Sequence, residues 1–485
     1  MRIELAVEET RFVVGESVDC LVRYINDGPI SIAAPQPLWE VNWQPRFRLT
    51  GPACPNGLEF TPRSAVLNDP RPEPTGIEPV LTNVAPGATF EQPIPLDRWT
   101  SLEEPGDYTL TASLRWRECV AASEPIAFHM EGPAMQSVAL GCVVGADTRL
   151  IDGVWLQKKG DHCQLFQLTY TEDRPDLGEM SRPESRKMLE TGPNATDVLA
   201  PFRNVGRTPS FHFWYAWREG KTLLARSFLL ESPLKLDLGA VPAQVVRPAL
   251  MTSKGELDVF IIAAGGKELQ MAGFPPPDKD GKAAAPNLRW KMPLPLPVSA
   301  VRCALDGRKD SESRRIVLAA QDGDNVALTH VILTPGQPSA AETIHLRAAH
   351  LMPHTQIGLR IDAQGVSHIS LLYETNRETR AFSLADVAFG ADGKRQGAPT
   401  FQKLGVLPFA AKACAVAFQM TGAEPARRDW AVLLEGERVV SSVNPGGVTT
   451  LHAPAALPLE LLARSQTAYL LTLDPKTGPA FASLP

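Results

Sequence analysis

The chain has 485 residues, of which 44% are hydrophobic and 21% are charged, and its formal net charge is −6 at pH 7. This apolar content is sufficient for a packed core and excludes a globally disordered chain. The acidic balance argues against a general binder of nucleic acid or of an anionic membrane surface. No apolar run approaches the ~18 residues that a membrane-spanning helix needs. We therefore expect a globular protein that binds neither nucleic acid nor membrane.

Short strand-like segments fill residues 1–132. They are RIELAV, SVDCLVRYI, WEVNWQPRFRLT, TFEQPIPL, DYTLTASLRW and SEPIAFHM, and Pro and Gly separate them. No helical period is sustained, and several short strands at this spacing predict a β-sandwich. The Pro-rich stretch from Gly51 to Pro79 is predicted to be a long loop that interrupts the sandwich.

The end of this region contains PGDYTLTASLRW followed by SEPIAFHM. A Gly-x-Tyr-x-Leu strand before a Ser-x-Pro strand with alternating apolar residues resembles the last two strands of bacterial immunoglobulin-like domains. The resemblance covers residues 1–132, and it implies an immunoglobulin-like fold with a binding role and no chemistry. The same region also resembles bacterial intracellular proteinase-inhibitor domains, which implies a regulator of an intracellular protease.

A repeat made only of strands occupies residues 133–485. Each unit begins near a proline and later contains one strongly apolar strand, and the intervals between the four central prolines are 55, 56 and 55 residues. The seven prolines are Pro133, Pro201, Pro242, Pro297, Pro353, Pro408 and Pro458. Strand-only repeats of this length predict propeller blades, because a ring of stacked sheets covers both faces of each sheet. The expected fold is therefore all-β, with an N-terminal immunoglobulin-like sandwich and a seven-bladed β-propeller.

The apolar runs within the repeats predict four strands that are almost fully buried. These strands are Asp258–Ala263, Arg315–Ala320, His368–Tyr373 and Trp430–Leu434. Hairpin turns are expected where Gly follows an acidic residue, as at Glu219-Gly220 and Asp322-Gly323. A first strand of one repeat is expected at Gln356–Asp362.

The first and last repeats depart from the pattern. Residues 171–194 lengthen the first repeat with a charged, Pro-rich segment, which we interpret as a solvated insertion; a partner-docking or protease-sensitive loop is the alternative. The last repeat, from Pro458, contains only three strands. The run SEPIAFHMEG could complete it, but we assign that run to the sandwich. The last blade is then either three-stranded or closed by the segment Met135–Leu140.

Catalytic signatures are missing from the sequence. It contains no G-x-S-x-G, H-E-x-x-H, P-loop or G-x-G-x-x-G motif and no paired C-x-x-C spacing, which predicts a chain that is not an enzyme and needs no cofactor. The sequence DKDG at 278–281 hints at calcium, but the position that should carry the last carboxylate of such a loop is Arg289. His345, His350 and His354 suggest a metal site, yet Pro353 prevents a regular helix that would align them. We expect no metal.

Seven cysteines are scattered along the chain, most of them inside strand-like runs, and the first residues lack the features of a secretory signal. This predicts reduced, buried thiols in a cytoplasmic protein. A dense aromatic run, FHFWYAW at 211–217, is predicted to be the buried strand of the second blade. The alternative is an exposed aromatic patch for a partner.

A cation follows most repeat prolines after four to seven residues. The six residues are Arg207, Arg247, Arg302, Arg360, Lys412 and Arg464. The first strand of each blade lines the central channel of a propeller, so these residues predict a basic channel mouth that binds a small anionic ligand. The offsets mix both faces of a strand, so the alternative is that some of these cations point elsewhere.

These observations favour a cytoplasmic, non-enzymatic scaffold of bacterial type that binds a protein partner of unknown identity through loops of the propeller and the sandwich. Two alternatives remain. One is a propeller enzyme or binder acting on a small anionic ligand at the basic channel mouth. The other is a regulator or inhibitor of an intracellular protease.

Overall fold

The structure is a computed structural model. It describes residues 1–14, 16, 18–35, 45–61, 81–96, 100, 102, 104–116, 119–132, 134–141, 143–144, 150–171, 180–181, 184–199, 201–204, 214–227, 230–239, 244–245, 249–252, 254–263, 266–278, 281–306, 308, 312–335, 339–418, 428–435, 438–441, 456–464, 467–474 and 478–484. These residues form strands, turns and loops without an α-helix, so the all-β prediction is confirmed. None of them belongs to a helix that could cross a bilayer.

The chain divides into two compact units. Unit 1 comprises Met1–Pro133 and Ser185–Lys187, and unit 2 comprises Ala134–Glu184 and Met188–Pro485. The strands in the first 131 residues are β1 (Arg2–Val7), β2 (Arg11–Val13), β3 (Asp19–Ile25), β4 (Ile32–Pro35), β5 (Arg46–Gly51), β6 (Cys54–Phe60), β7 (Leu81–Val84), β8 (Thr89–Pro95), β9 (Gly106–Trp116), β10 (Cys119–Ala122) and β11 (Ile126–Glu131).

The following strands, up to residue 293, are β12 (Ala134–Gly141), β13 (Val143–Val144), β14 (Leu150–Lys159), β15 (His162–Thr171), β16 (Met180–Ser181), β17 (Glu184–Thr191), β18 (Ala195–Leu199), β19 (Pro201–Asn204), β20 (Trp214–Glu219), β21 (Thr222–Ser227), β22 (Leu234–Asp237), β23 (Gln244–Val245), β24 (Ala249–Met251), β25 (Leu257–Ala263), β26 (Glu268–Phe274) and β27 (Asn287–Pro293).

The last group of strands is β28 (Ala300–Leu305), β29 (Arg314–Asp322), β30 (Asn325–Leu333), β31 (Ala340–Leu346), β32 (His350–Leu351), β33 (Thr355–Gln356), β34 (Gly358–Ile361), β35 (Ser367–Asn376), β36 (Ala381–Phe389), β37 (Arg395–Val406), β38 (Ala411–Phe418), β39 (Arg428–Leu434), β40 (Arg438–Ser441), β41 (Ala456–Arg464), β42 (Thr467–Asp474) and β43 (Gly478–Leu484).

Unit 1 contains two main sheets that share one core. One sheet has the order β1-β3-β8 and the other β2-β11-β9-β5-β6, with β10 paired to β9, while β4 and β7 form a separate pair. Val22 of β3 packs into the same core as Phe47 of β5 and Leu110 of β9. β11 pairs with β9 and with β2, so SEPIAFHM belongs to this unit as predicted. The predicted loop from Gly51 is wrong at its beginning, because β6 forms a hairpin with β5; residues 62–80 lie outside the described part.

Seven sheets occur in the described part of unit 2, and we number them in chain order. Their strand orders are β12-β14-β15-β17 (sheet 1), β18-β20-β21-β22 (sheet 2), β24-β25-β26-β27 with β13, β19 and β23 (sheet 3), β28-β29-β30-β31 (sheet 4), β32-β35-β36-β37 with β34 (sheet 5), β38-β39-β40 with β33 (sheet 6) and β41-β42-β43-β16 (sheet 7).

Each pair of consecutive sheets shares a hydrophobic core. β25 shows how one strand serves two cores: Val259 and Ile261 pack against sheet 2, whereas Phe260 and Ile262 pack against sheet 4. Successive side chains of a strand point to opposite faces, so a strand between two sheets is apolar at every position. The same division joins the remaining pairs from sheet 1 to sheet 7. Antiparallel sheets stacked face to face in chain order form a β-propeller arrangement.

The four predicted buried strands are confirmed. They lie within β25, β29, β35 and β39, whose central residues are buried. The predicted hairpins are present as well: two-residue turns begin at Gly220 and Gly323, both with φ of 58°. A positive φ at the first position of such a turn favours glycine.

Two repeat boundaries differ from the prediction. Sheet 2 begins at Ala195, so Pro201 lies after its first strand and instead opens β19. The first strand of sheet 5 begins at His350 and leaves its partner β35 after Leu351, just before Pro353. Proline has no N–H to continue a ladder, which explains the break. The strand predicted at Gln356–Asp362 is accordingly divided into β33 and β34.

Sheet 7 is closed by a strand that the sequence did not indicate. β16 pairs antiparallel with β43, Met180 opposite Ala482, and thereby provides a fourth strand. The segment Met135–Leu140 lies in β12 and pairs with β14, so the expectation that it closes the last sheet is wrong. The solvated insertion predicted at 171–194 is also corrected, because it contains β16 and β17; residues 172–179 lie outside the described part.

Candidate functional site

The cations predicted to surround a channel mouth lie at different positions along the first strands of their sheets, near the beginning, in the middle or at the end. Arg302 is opposite Val317 within β28, and Arg360 is opposite His368 within β34. Lys412 lies at the bulge at the beginning of β38, and Arg464 is the last residue of β41. Arg207 and Arg247 lie outside the described residues.

These positions limit how many of the cations can share one mouth. The first strands of propeller blades run in the same direction, so the beginning of β38 and the end of β41 belong to opposite ends of the ring. Lys412 and Arg464 are therefore not brought together. Arg302 and Arg360 are half-buried at mid-strand, and each already interacts with other groups of the protein.

Hydrogen bonds join the first strands of different sheets, in the part of the propeller where a central channel was predicted. Thr355 and Gln356 of β33 pair parallel with Cys414 and Ala415 of β38. The Gln356 amide also bridges to sheet 7: the Leu461 N–H donates to Gln356 Oε1 at 2.9 Å, and Gln356 Nε2 donates to the Leu461 carbonyl at 2.9 Å. β13, β19 and β24 form a second parallel set. No sequence pattern indicated these connections, which reduce the space for a small ligand.

A buried ion pair joins sheets 3 and 4. Arg314 of β29 donates from Nε and Nη2 to Asp258 Oδ2 of β25, at 2.9 and 2.7 Å. Burial raises the pKa of Asp258, and the charge of Arg314 opposes that rise. Around this pair, Arg289 binds Glu256 at 2.8 Å, and Lys254 of the same cluster binds an acidic residue just before β29. Charge is balanced here, which indicates a structural role.

A second polar cluster lies between sheets 4 and 5. Burial raises the pKa of the Asp306 carboxyl, but hydrogen bonds from Arg308 and Arg315 outweigh burial and lower that pKa to about 2. His330 Nε2 lies 3.0 Å from the Ser367 hydroxyl, and burial lowers the pKa of His330 to about 4. Both residues of this Ser–His pair are fully buried, so no substrate reaches them.

The histidines considered as metal ligands are dispersed. His345 lies on β31 with Nδ1 3.5 Å from Asp322 Oδ2, His350 lies on β32, and His354 occupies the turn before β33. Within the described ranges, no group of three His, Cys, Asp or Glu side chains is arranged to hold a metal ion. The aromatic run is buried at Trp214 and Trp217, as its core interpretation predicts; residues 211–213 lie outside the described part.

The outer strand of sheet 5, β37, offers a different kind of site. It has 12 residues, of which ten are exposed, and its sequence RQGAPTFQKLGV contains two cations and no acid. The exposed fractions of Phe401 and Val406 are 57% and 63%, and Phe409, just after the strand, is 38% exposed. Sequence reasoning missed this strand because it has no continuous apolar run. The sequence feature that could have revealed it is a long segment between two turns that contains apolar and basic residues.

Comparisons with known proteins give no family. No protein-family model matches the chain, and no curated protein matches it. Among solved structures, the chain is similar to BBS1N in complex with ARL6DN, with 13% identity, a TM-score of 0.36 and coverage of 73% of this chain and 92% of that chain.

Two other solved structures are similar to a comparable degree. A fungal lectin from Aleuria aurantia, described as a six-bladed β-propeller with a fucose recognition mode, has 8% identity, a TM-score of 0.35 and coverage of 72% and 91%. The NanB sialidase from Streptococcus pneumoniae has 9% identity, a TM-score of 0.31 and coverage of 86% and 80%. With TM-scores this low, these likenesses carry no argument about what this chain does.

Proposed function

We propose that this chain is a non-enzymatic scaffold that binds a protein partner through the outer edge of sheet 5. The observation that carries the proposal is the exposure of Phe401, Val406 and Phe409 within one short segment. Isolated apolar side chains are normal on a surface, but several close together mark an interaction site. Aromatic residues such as Phe401 are enriched in the central part of such interfaces.

The architecture that presents this edge is a seven-bladed propeller preceded by an immunoglobulin-like sandwich. The seven sheets and their pairwise cores support the blade count. In unit 1, the Tyr108 hydroxyl donates to the Glu104 carbonyl at 2.8 Å. This bond, from a strand to the backbone just before it, is similar to the tyrosine corner of immunoglobulin-like sandwiches. A bacterial origin is proposed from the resemblance of PGDYTLTASLRW and SEPIAFHM to the last two strands of bacterial immunoglobulin-like domains.

The scaffold is proposed to work in the cytoplasm. Five cysteines, Cys20, Cys54, Cys163, Cys303 and Cys414, are free in the described part of the chain. Free, buried thiols are typical of a reducing compartment. No cofactor or metal enters the proposed role.

Quantitative affinity capture tests this function. The wild-type chain and a Phe401→Ser/Val406→Ser variant would be used as baits in bacterial lysate. A partner captured by the wild type is expected to be depleted at least about tenfold by the variant, because the variant removes the apolar centre of the interface. Leu288→Ser is the matched control, since Leu288 is 47% exposed on the outer strand of sheet 3. Capture of the same proteins by all three baits would refute the function.

A small anionic ligand is the second candidate. Arg302, Arg360 and Lys412 lie on the first strands of three consecutive sheets, which supports a basic lining even without Arg464. Titration calorimetry with inorganic phosphate is expected to give no heat if the scaffold function is right. A protease among the captured partners would favour the third possibility, regulation of an intracellular protease.

A further inference from the structure

We infer that β37 takes up an acidic, extended segment of a partner as an additional strand of sheet 5. This inference rests on the proposed function and names the partner chemistry of the same edge. It is carried by three features of β37: an open ladder edge, uncompensated positive charge and exposed apolar side chains.

The first feature is the open edge. β37 pairs with β36 on one side, and no strand in the described part of the chain pairs with its other side. Such an edge offers alternate N–H and C=O groups to an incoming strand. β37 spans ~40 Å at the usual rise per residue. The outer strands β22, β27, β31 and β40 of other sheets have 4, 7, 7 and 4 residues, so β37 is the longest of the five.

Part of this edge is already blocked. The Arg395 N–H donates to Glu342 Oε2 at 2.8 Å, and Pro399 has no N–H to offer. The part open to a new strand is therefore Thr400–Val406, with Lys403 at its centre.

Charge is the second feature. In the open part of the edge, Lys403 forms no ion pair with any described residue. β27 shows the contrast, because its cations are compensated: Arg289 binds Glu256 at 2.8 Å, and Lys291 Nζ lies 3.9 Å from Glu268 Oε2. A basic edge in a protein of net charge −6 favours an acidic strand opposite it. Two copies of β37 would place like charges together, so a second copy of this chain is the less favourable occupant.

The apolar side chains are the third feature. Phe401 pairs with Ala385 and Val406 with Ala381 across the ladder. Ala385 packs into the core shared by sheets 4 and 5, and paired residues point to the same face, so Phe401 lies on that face of sheet 5. Lys403 is two positions along β37 from Phe401 with no bulge between them, so it lies on the same face. An added strand would therefore place an apolar residue against Phe401 and an acidic residue against Lys403 on that one face. The expected segment thus carries acidic and apolar residues in turn at every second position, with uncharged polar residues between them.

The test uses the full chain and labelled synthetic octapeptides in a fluorescence anisotropy titration. A peptide of two Glu-Thr-Val-Thr repeats, which places glutamate and valine on one face of a strand, is expected to bind, and its binding should weaken with added salt. The corresponding peptide of two Lys-Thr-Val-Thr repeats should bind at least about tenfold more weakly. Two further acidic peptides have N-methyl groups either on every glutamate and valine or on every threonine. Strand addition uses the amides of one set only, so one methylated peptide should lose binding and the other keep it.

Protein variants locate the site. Lys403→Glu is expected to weaken the binding of the acidic peptide about tenfold, whereas Lys291→Glu on β27 should leave the affinity for this peptide unchanged. Equal loss with both methylated peptides, or equal affinity of both protein variants, would overturn the inference. So would a dimer of the wild-type chain in sedimentation that Lys403→Glu dissociates, since a second copy would then occupy the edge. A different result refutes the proposed function, namely capture of the same proteins by the wild type and by the Phe401→Ser/Val406→Ser variant.

Discussion

The buried pair between sheets 3 and 4 allows a quantitative prediction for Arg314→Leu. The Arg314 side chain is 5% exposed and that of Asp258 is 0% exposed. The substitution removes both hydrogen bonds to Asp258 Oδ2 and leaves a carboxylate without a close partner. Arg289 Nη1, 3.9 Å from Asp258 Oδ1, is the nearest remaining cation.

Removing one member of a buried ion pair costs about 3–5 kcal/mol, because the other charge remains desolvated and unpaired. The partial compensation by Arg289 places the expected loss near the lower end, at about 3 kcal/mol. This loss of unfolding free energy, the stability deficit of the variant, should depend on pH in a defined direction. Burial already raises the pKa of Asp258, and loss of the opposing Arg314 charge raises it further. The deficit is therefore largest above that raised folded-state pKa and shrinks as protonation neutralises Asp258 at lower pH.

Urea unfolding followed by tryptophan fluorescence would measure the loss, with hydrogen exchange of β25 and β29 to assign the transition to these sheets. Lys254→Met is the control, since Lys254 is 70% exposed and its ion pair lies at the rim of the same cluster. We expect its midpoint to match the wild type. An Arg314→Leu variant as stable as the wild type, or equally destabilised at pH 5 and pH 8, would refute this account of the pair.

Two further predictions concern other buried groups. Because burial lowers the pKa of His330 to about 4, the folded state resists a proton that the unfolded state accepts; stability should fall from pH 6.5 towards pH 4. His330→Gln should remove up to ~3 kcal/mol of that fall in urea unfolding, and an unchanged slope would contradict it. Thiol counting under denaturing, non-reducing conditions should recover all seven cysteines. Recovery of five or fewer would show disulfides. In the native protein, Cys20, Cys303 and Cys414 should remain unreacted, because burial raises the pKa of these thiols.

Sequence patterns predicted the local elements of unit 2 well. A strand such as LDVFIIA is apolar at every position because β25 packs against a sheet on each face, and such runs with Gly turns are visible in any single stretch of chain. SEPIAFHM was assigned to the first 132 residues on its resemblance to the last strand of an immunoglobulin-like domain, and β11 does pair with β9. Repeat boundaries were less accurate, since Pro201 follows the first strand of sheet 2 and Pro353 interrupts the first strand of sheet 5.

The site could not be predicted in the same way. The Gln356–Leu461 bridge and the Asp258–Arg314 pair join residues far apart in sequence, and neither partner has a local pattern that specifies the other. The cations lie at similar distances in sequence after the repeat prolines and therefore looked equivalent, yet Lys412 and Arg464 occupy opposite ends of their strands. The open edge at β37 depends on which strand comes last in a sheet, which is a property of topology rather than of residue type.

The pairing of β16 with β43 imposes an order on folding during synthesis. Met180 and Ser181 leave the ribosome about 300 residues before the strand that they complete. At ~5–20 residues per second, this is a delay of ~15–60 s, during which sheets 1 to 6 can form while β16 has no partner. Closure of the ring is thus a late, long-range step, of the kind that slows folding. A substitution in β43 that weakens this pairing should leave nascent chains with six formed sheets and an unclosed ring.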